Sequence, residues 1–191
     1  MSEHMLKDGR TLILRGPALE DAEQMIAYAK VVGGETDFLL MDENGIEGLT
    51  LDGEREWIQN TLDAPNTKMF LGFVDGELVS LCDVRAAARK RIAHVAGIAI
   101  SVKRAYWGLG IGSIVMQAMI DYARSTGALR TLSLEVRDGN NRAISLYHRF
   151  GFVEVGRHRE RINVRGVYHD EILMDLDLTN IPDNKTQEDK Q

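Results

Sequence analysis

Ile98-Ala99-Ile100-Ser101-Val102-Lys103-Arg104-Ala105-Tyr106-Trp107-Gly108-Leu109-Gly110-Ile111-Gly112 decides the fold. An apolar run ends in a basic turn, and three alternating glycines then open a helix. The helix is the strongest in the chain. Ile111, Ile114, Val115, Ala118, Met119, Tyr122 and Ala123 recur at the spacing of one helical face, and Gly127 follows as a stop. A glycine turn between a strand and a helix leaves bare N–H groups at the positive end of the helix dipole, a cradle for an anion such as phosphate. Two familiar phosphate motifs are absent. A G-x-G-x-x-G reading meets Ser113 or Val115 at its third glycine, and no Gly-Lys-Ser/Thr follows.

Outward from this stretch the chain reads as alternating strands and helices. Thr11–Arg15 is a short strand, and Ala18 to about Val32 a helix broken by Gly33-Gly34. Residues 35–53 form a long polar loop, a length that usually serves function, and Glu54–Asp63 a second helix. Lys68–Val74 and Glu77–Ala86 flank Asp75-Gly76, a two-residue hairpin signal. Ile92–Val102 is the fourth strand and reads as buried on both faces. Arg130–Val136 is the fifth, and Asn140 caps a helix ended by Gly151. Phe152–Ile162 and Tyr168–Leu178 form a last hairpin. The order β-α-α-β-β-β-α-β-α-β-β predicts an α/β fold: a single mixed, mostly antiparallel sheet of about seven strands with helices on both faces. Residues 1–10 read as a loose leader, 11–178 as the folded domain, and 179–191 as a disordered polar tail.

Composition narrows the function. At 191 residues and 44% apolar content the chain can bury a full core within one domain. No apolar run is long enough to span a bilayer, so no membrane partner is expected. No signal peptide is visible, and one cysteine, Cys82, excludes a disulfide framework and points to a reducing, cytoplasmic setting. The net charge of −6 argues against nucleic acid as a partner. The balance is uneven: residues 1–66 hold 14 acids against 5 bases, while 67–191 hold 15 against 18. The acidic stretch 33–63 reads either as a solvated face or as a mild preference for a cationic acceptor. The histidines show no metal spacing, and no metal is expected.

Two blocks together resemble the GCN5-related N-acetyltransferase (GNAT) superfamily: Trp107-Gly108-Leu109-Gly110-Ile111-Gly112, and Asn140-Asn141-Arg142-Ala143-Ile144-Ser145-Leu146-Tyr147-His148-Arg149-Phe150-Gly151-Phe152. They are similar to the family's Arg/Gln-x-x-Gly-x-Gly/Ala and N-x-x-A-x-x-L-Y-x-x-x-G-F and stand in the same order. Trp107 stands where the family usually carries Arg or Gln, with Lys103 and Arg104 as nearby cations. The resemblance implies a fold whose fourth and fifth strands splay apart. It implies acetyl-CoA as co-substrate, its pyrophosphate on the Gly108, Gly110, Ile111, Gly112 and Ser113 turn and its pantetheine arm along Ile98, Ile100 and Val102. Gly97 is where the splay would begin.

The resemblance further implies contacts from Asn140 and Ala143 to the cofactor arm, and Tyr147 as the acid that protonates the departing thiolate. An amine would attack the thioester directly, which leaves Cys82 no role beyond the core. The base is open among Glu135, His94 and Asp83, with Glu135 favoured. Phe38 and Trp57 are candidate walls of the acceptor pocket. The resemblance thus implies an N-acetyltransferase for a primary amine of a small molecule, amino acid or peptide, with a homodimer as the implied assembly. The alternative is a non-catalytic acyl-CoA-binding module on the same fold.

Overall fold

A computed structural model of the chain describes residues 1–40 and 48–179. Its eight strands are β1 (Ser2–Met5), β2 (Thr11–Arg15), β3 (Lys68–Val74), β4 (Glu77–Ala86), β5 (Val95–Val102), β6 (Thr131–Arg137), β7 (Val153–Val164) and β8 (Val167–Asp177). They form one sheet in the order β1-β2-β3-β4-β5-β6-β8-β7, antiparallel throughout except for β5 beside β6. Helices α1 (Ala22–Glu35) and α2 (Leu51–Asp63) cover one face; α3 (Ile111–Ser125) and α4 (Asn141–Arg149) cover the other.

The two faces follow strand parity. Ala96, Ile98, Ile100 and Val102 of β5, with Leu132, Leu134 and Val136 of β6, point into the core beneath α3 and α4. The intervening residues point toward α1 and α2. Tyr28 of α1 accordingly donates its hydroxyl hydrogen to Ser101 Oγ at 2.8 Å. Helix α3 anchors its core with Ile111, Val115, Met116, Met119, Ile120 and Ala123, all buried. Burial of each larger side chain is worth about 1.5–3 kcal/mol.

Three expectations need correction. The first ten residues are not a loose leader: β1 pairs with β2 in the register His4↔Leu12. Leu6, only 3% exposed, plugs the core beside a turn through Gly9 (φ +87°), which explains why the largely polar stretch Ser2–Met5 becomes a strand. This adds the eighth strand, so the fourth and fifth expected strands are β5 and β6. Second, α1 runs through Gly33-Gly34 to Glu35. Val32 and Gly33 are buried, and tertiary packing there outweighs the ~1 kcal/mol that a helical glycine costs. Third, β5 starts at Val95 and is not buried on both faces; Gly97 and Ala99 are exposed. The hairpin through Asp75 (φ +50°) and Gly76 (φ +82°) forms as read. The tail from 180 onward lies outside the described residues.

Candidate active site

Strands β5 and β6 pair only at Val95↔Thr131, Ala96↔Leu132 and Gly97↔Ser133. Beyond Gly97 they part without a bulge, while β5 stays paired to β4 as far as Val102↔Ser80. The backbone groups of 98–102 on the β6 side therefore lack a strand partner, and polar backbone left unpaired calls for a ligand or solvent. A cleft of about 870 Å³ opens in the gap. Residues of both parities line it, Ile98, Ile100 and Val102 from one face and Ala99 and Ser101 from the other. The cleft thus passes through the sheet.

On the α3 side the cleft ends at the glycine turn. Gly108 (φ +84°) and Gly110 (φ +97°) adopt left-handed backbone. A Cβ at either would stand in open space, so glycine serves backbone shape and access there, not packing. The helical bonds of α3 begin with Ser113 N–H donating to Gly110 O at 3.0 Å. The five amides from Gly108 to Gly112 donate to nothing within the described protein. Alternating left-handed residues that leave successive N–H groups free form an anion nest at a helix N-terminus. A diphosphate fits this donor set. The third glycine differs: a Cβ on Gly112 would meet Leu146 Cδ2 at 3.3 Å, so it lets α4 approach α3.

Side chains complete this half of the cleft, but not those expected. Lys103 bonds Glu77 at 2.7 Å, Arg104 lies on the outer side of Trp107 at 5.9 Å, and neither lines the cleft. The turn needs its cations elsewhere because Glu77 captures Lys103. Lys7, Arg142 and Arg149 line the cleft instead. Arg142 stacks over the Trp107 ring at 4.5 Å. Trp107 itself donates its indole N–H to Val102 O at 2.7 Å, tying the turn to the end of β5. Arg142 and Arg149 stand inside the second quoted block and were legible as cations on the helix; Lys7 was hidden by the reading of residues 1–10 as a leader. Asn140 caps α4, its Oδ1 accepting from Ala143 N–H at 3.3 Å, which leaves its NH2 group for the cleft that it and Ala143 line.

Tyr147 is 7% exposed, packs against Phe152 and lines the cleft. Its hydroxyl makes no hydrogen bond within the described protein, and burial pushes its pKa up to about 12. Glu135 lines the same cleft from β6, exposed and without an ion pair among the described residues. The other two base candidates are not brought to the gap. His94 precedes β5 at its closed end, where its carbonyl accepts from Arg130 N–H at 2.8 Å. Asp83 is buried behind the β5 wall beside Arg85 Nε at 2.9 Å, and burial raises its pKa. Cys82 is fully buried, and that burial pushes its thiol pKa up; it packs as core.

On the α1–α2 side, Phe38 lines the cleft with its ring 4.3 Å from the Arg137 guanidinium carbon. Trp57 does not: it packs on the core beneath α1 and α2. Among the described residues of 33–63, no acid lines the cleft. Asp37 bonds Arg165 at 3.2 Å, Glu35 accepts from Arg104 N–H at 2.8 Å, and Glu54 is buried. Asp42, Glu43 and Glu47 lie outside the described residues. Among the described residues no cluster of three metal-ligating side chains occurs, and no helix is long and apolar enough to cross a membrane.

Comparison with known proteins places this geometry. The family model described as "Acetyltransferase (GNAT) family" matches residues 38–152. A GNAT-family acetyltransferase structure from Streptococcus pneumoniae is 30% identical, covers 86% of this chain and 98% of its own, and superposes with a TM-score of 0.83. A structure from Salmonella typhimurium with its cofactor acetyl-CoA shares the fold at TM-score 0.78 and 15% identity, over 92% of this chain and 99% of its own. The L-amino acid N-acetyltransferase AaaT of Escherichia coli is 27% identical over 118 residues, 62% of this chain and 73% of that protein.

Proposed function

The chain belongs to the GNAT acetyltransferase family, and on that premise we propose that it moves an acetyl group from acetyl-CoA directly onto the primary amine of a small molecule, amino acid or peptide. The observation that carries this reading is the run of five free amides from Gly108 to Gly112, opening on a cleft that crosses the sheet between β5 and β6. The diphosphate of acetyl-CoA sits on those amides, with Lys7, Arg142 and Arg149 offsetting its charge. The pantetheine amides pair with the free edge of Ile98–Val102. The acetyl group then lies in the gap, and the acceptor enters from the α1–α2 side.

The amine nitrogen attacks the thioester carbonyl, and the C–S bond breaks as the C–N bond forms. A free N–H on the β5 edge polarises the carbonyl oxygen. Glu135 takes the proton that the nitrogen loses. Tyr147 faces the departing sulfur. Its raised pKa keeps the hydroxyl protonated, so it can always donate. It donates that proton to the departing thiolate, whose own proton affinity the same desolvated cleft raises.

A homodimer and cytoplasmic residence belong to the same proposal. Val153, Val155, Val167 and Tyr168 of the last hairpin are more than half exposed, which supports the first; the lone buried cysteine fits the second. The deciding experiment is thiol release from acetyl-CoA across a broad amine panel. Release that depends on an added amine is expected. Tight acetyl-CoA binding with no release over the whole panel would instead make the chain a non-catalytic acyl-CoA module.

A further inference from the structure

The acceptor half of the cleft holds two charged side chains that form no ion pair among the described residues. Glu135 and Arg137 stand two residues apart on β6, both on the face toward α1 and α2. Side chains at that spacing share a face with their Cα atoms roughly 6–7 Å apart. Both line the cleft. Neither forms an ion pair among the described residues. The other charges nearby are accounted for. Asp83 is paired with Arg85 at 2.9 Å. Glu171 lies opposite Arg137 across β8, but its Oε2 is 3.2 Å from His158 Nδ1 and 3.9 Å from Arg161 Nε.

Arg137 is also held in place at the cleft: its guanidinium carbon lies 4.3 Å from the centre of the Phe38 ring. That contact takes none of its N–H groups, which remain for an acceptor. Its guanidinium makes no hydrogen bond among the described residues, and the residue lines the cleft, where a bound carboxylate can supply an acceptor to the N–H groups that face it.

The geometry points to a zwitterionic acceptor: a free amino carboxylic acid whose amine faces Glu135 and whose carboxylate is clamped by Arg137. Glu135 and Arg137, on one face of β6 and both lining the cleft, offer one group to each end of such a molecule. The same pair disfavours two other acceptor classes. A peptide N-terminus has no carboxylate beside its amine, and a polyamine would set a second cation against Arg137. Phe38, Leu39, Leu40 and Ile162 line this half as well, so an apolar side chain is the expected companion. The inference rests on the acetyl-transfer reading above and adds a specificity residue to it.

The test measures kcat/KM for each of the twenty L-amino acids against its carboxamide, with spermidine and a dipeptide amide as further acceptors. The carboxamide has the more readily deprotonated amine, so bare amine reactivity favours it. The wild-type enzyme is expected to prefer the best amino acid over its amide by on the order of 10–100-fold, the worth of a charged hydrogen bond. In Arg137→Gln that ratio falls toward one, with Arg137→Lys between them. The ratio is taken within one preparation, so an inactive fraction cancels. Equal use of acids and amides by the wild type, or a ratio unmoved in Arg137→Gln, overturns the inference. Thiol release with spermidine or the dipeptide amide alone overturns it too, while leaving acetyl transfer standing. Release with none of these acceptors overturns this inference, and the broad amine panel then decides separately whether acetyl transfer stands.

Discussion

Replacing Gly110 by alanine separates two roles that the glycine turn combines. Gly110 sits at φ +97°, beyond the centre of the left-handed region near +57°. An L-residue there costs about 1–3 kcal/mol of strain. Nothing in the described protein lies within 4 Å of the added methyl group, so no clash contributes. Taking about 2 kcal/mol, and 2–4 °C per kcal/mol for a chain of this size, Tm without ligand falls by roughly 4–8 °C. The strain is relieved by flipping the turn to negative φ, which swings amides away from the phosphate position. Each lost charged hydrogen bond costs about 1.5–3 kcal/mol, so the Kd for acetyl-CoA rises on the order of 10–100-fold. Gly127→Ala is the control. Gly127 also has positive φ (+62°), equally open space around it, and no place in the cleft. Thermal melts and calorimetric titration of both variants decide the matter. If Gly110→Ala melts early, as Gly127→Ala does, yet binds acetyl-CoA with wild-type affinity, then the free amides do not hold the diphosphate.

Tyr147→Phe removes a hydroxyl that bonds nothing in the described protein, so stability should hold while kcat falls on the order of 10–100-fold. An acetyl-CoA Kd within about twofold of wild type, with unchanged kcat, would remove Tyr147 from the chemistry. Asp21→Asn breaks a pair of 2.7 Å bonds from Arg15, whose guanidinium holds Asp21 below the usual carboxylate range. The stability of that pair is present above the ordinary Asp pKa and lost as pH falls through the lower folded value. The variant should therefore be less stable by about 1–3 kcal/mol at pH 7, and in urea titrations the gap should begin to narrow below about pH 4 and close only below the lower folded value. Glu54 runs the other way: burial without a partner among the described residues raises its pKa. Its ionised form costs stability at neutral pH, so Glu54→Gln should raise Tm by roughly 2–4 °C at pH 7. That gain should vanish below the ordinary Glu pKa near 4.3, where both states carry the proton.

How much was legible divides along physical lines. The glycine turn, α3 and the Asn140 helix were readable because their signals are local: positive-φ glycines, a 3.6-residue period, a cap. The Asp75-Gly76 hairpin was readable for the same reason. Residues 2–5 were missed because β1 is an edge strand with little burial of its own, held by Leu6 five residues before β2 begins. Gly33-Gly34 misled because burial against the sheet can outweigh helix propensity. Thr50, which caps α2 by accepting from Gly53 N–H at 3.1 Å, was overlooked because it lies in a stretch that read as loop. Lys103 and Arg104 were expected in the cleft from proximity in sequence. Glu77, 26 residues earlier, takes Lys103 away.

The same division separates the two halves of the cleft. The cofactor half is built mainly from backbone amides, at the free edge of β5 and the head of α3, so its sequence trace is glycine spacing within one short window. The acceptor half is built from side chains on four separate elements: Phe38 after α1, Arg85 on β4, Glu135 and Arg137 on β6, and Glu171 on β8. No spacing rule links them; they meet because strand parity puts them on one face of the sheet. Parity also assigns their work. Leu134 and Val136 support the α3–α4 core, while their neighbours Glu135 and Arg137 line the cleft. A one-residue shift in the register of β6 would exchange the two sets, burying the charges and abolishing acceptor recognition together with the core. The pairing of β6 with β8, held from Thr131↔Asp177 to Arg137↔Glu171 without a bulge, therefore fixes which side chains of β6 reach the cleft and which reach the core.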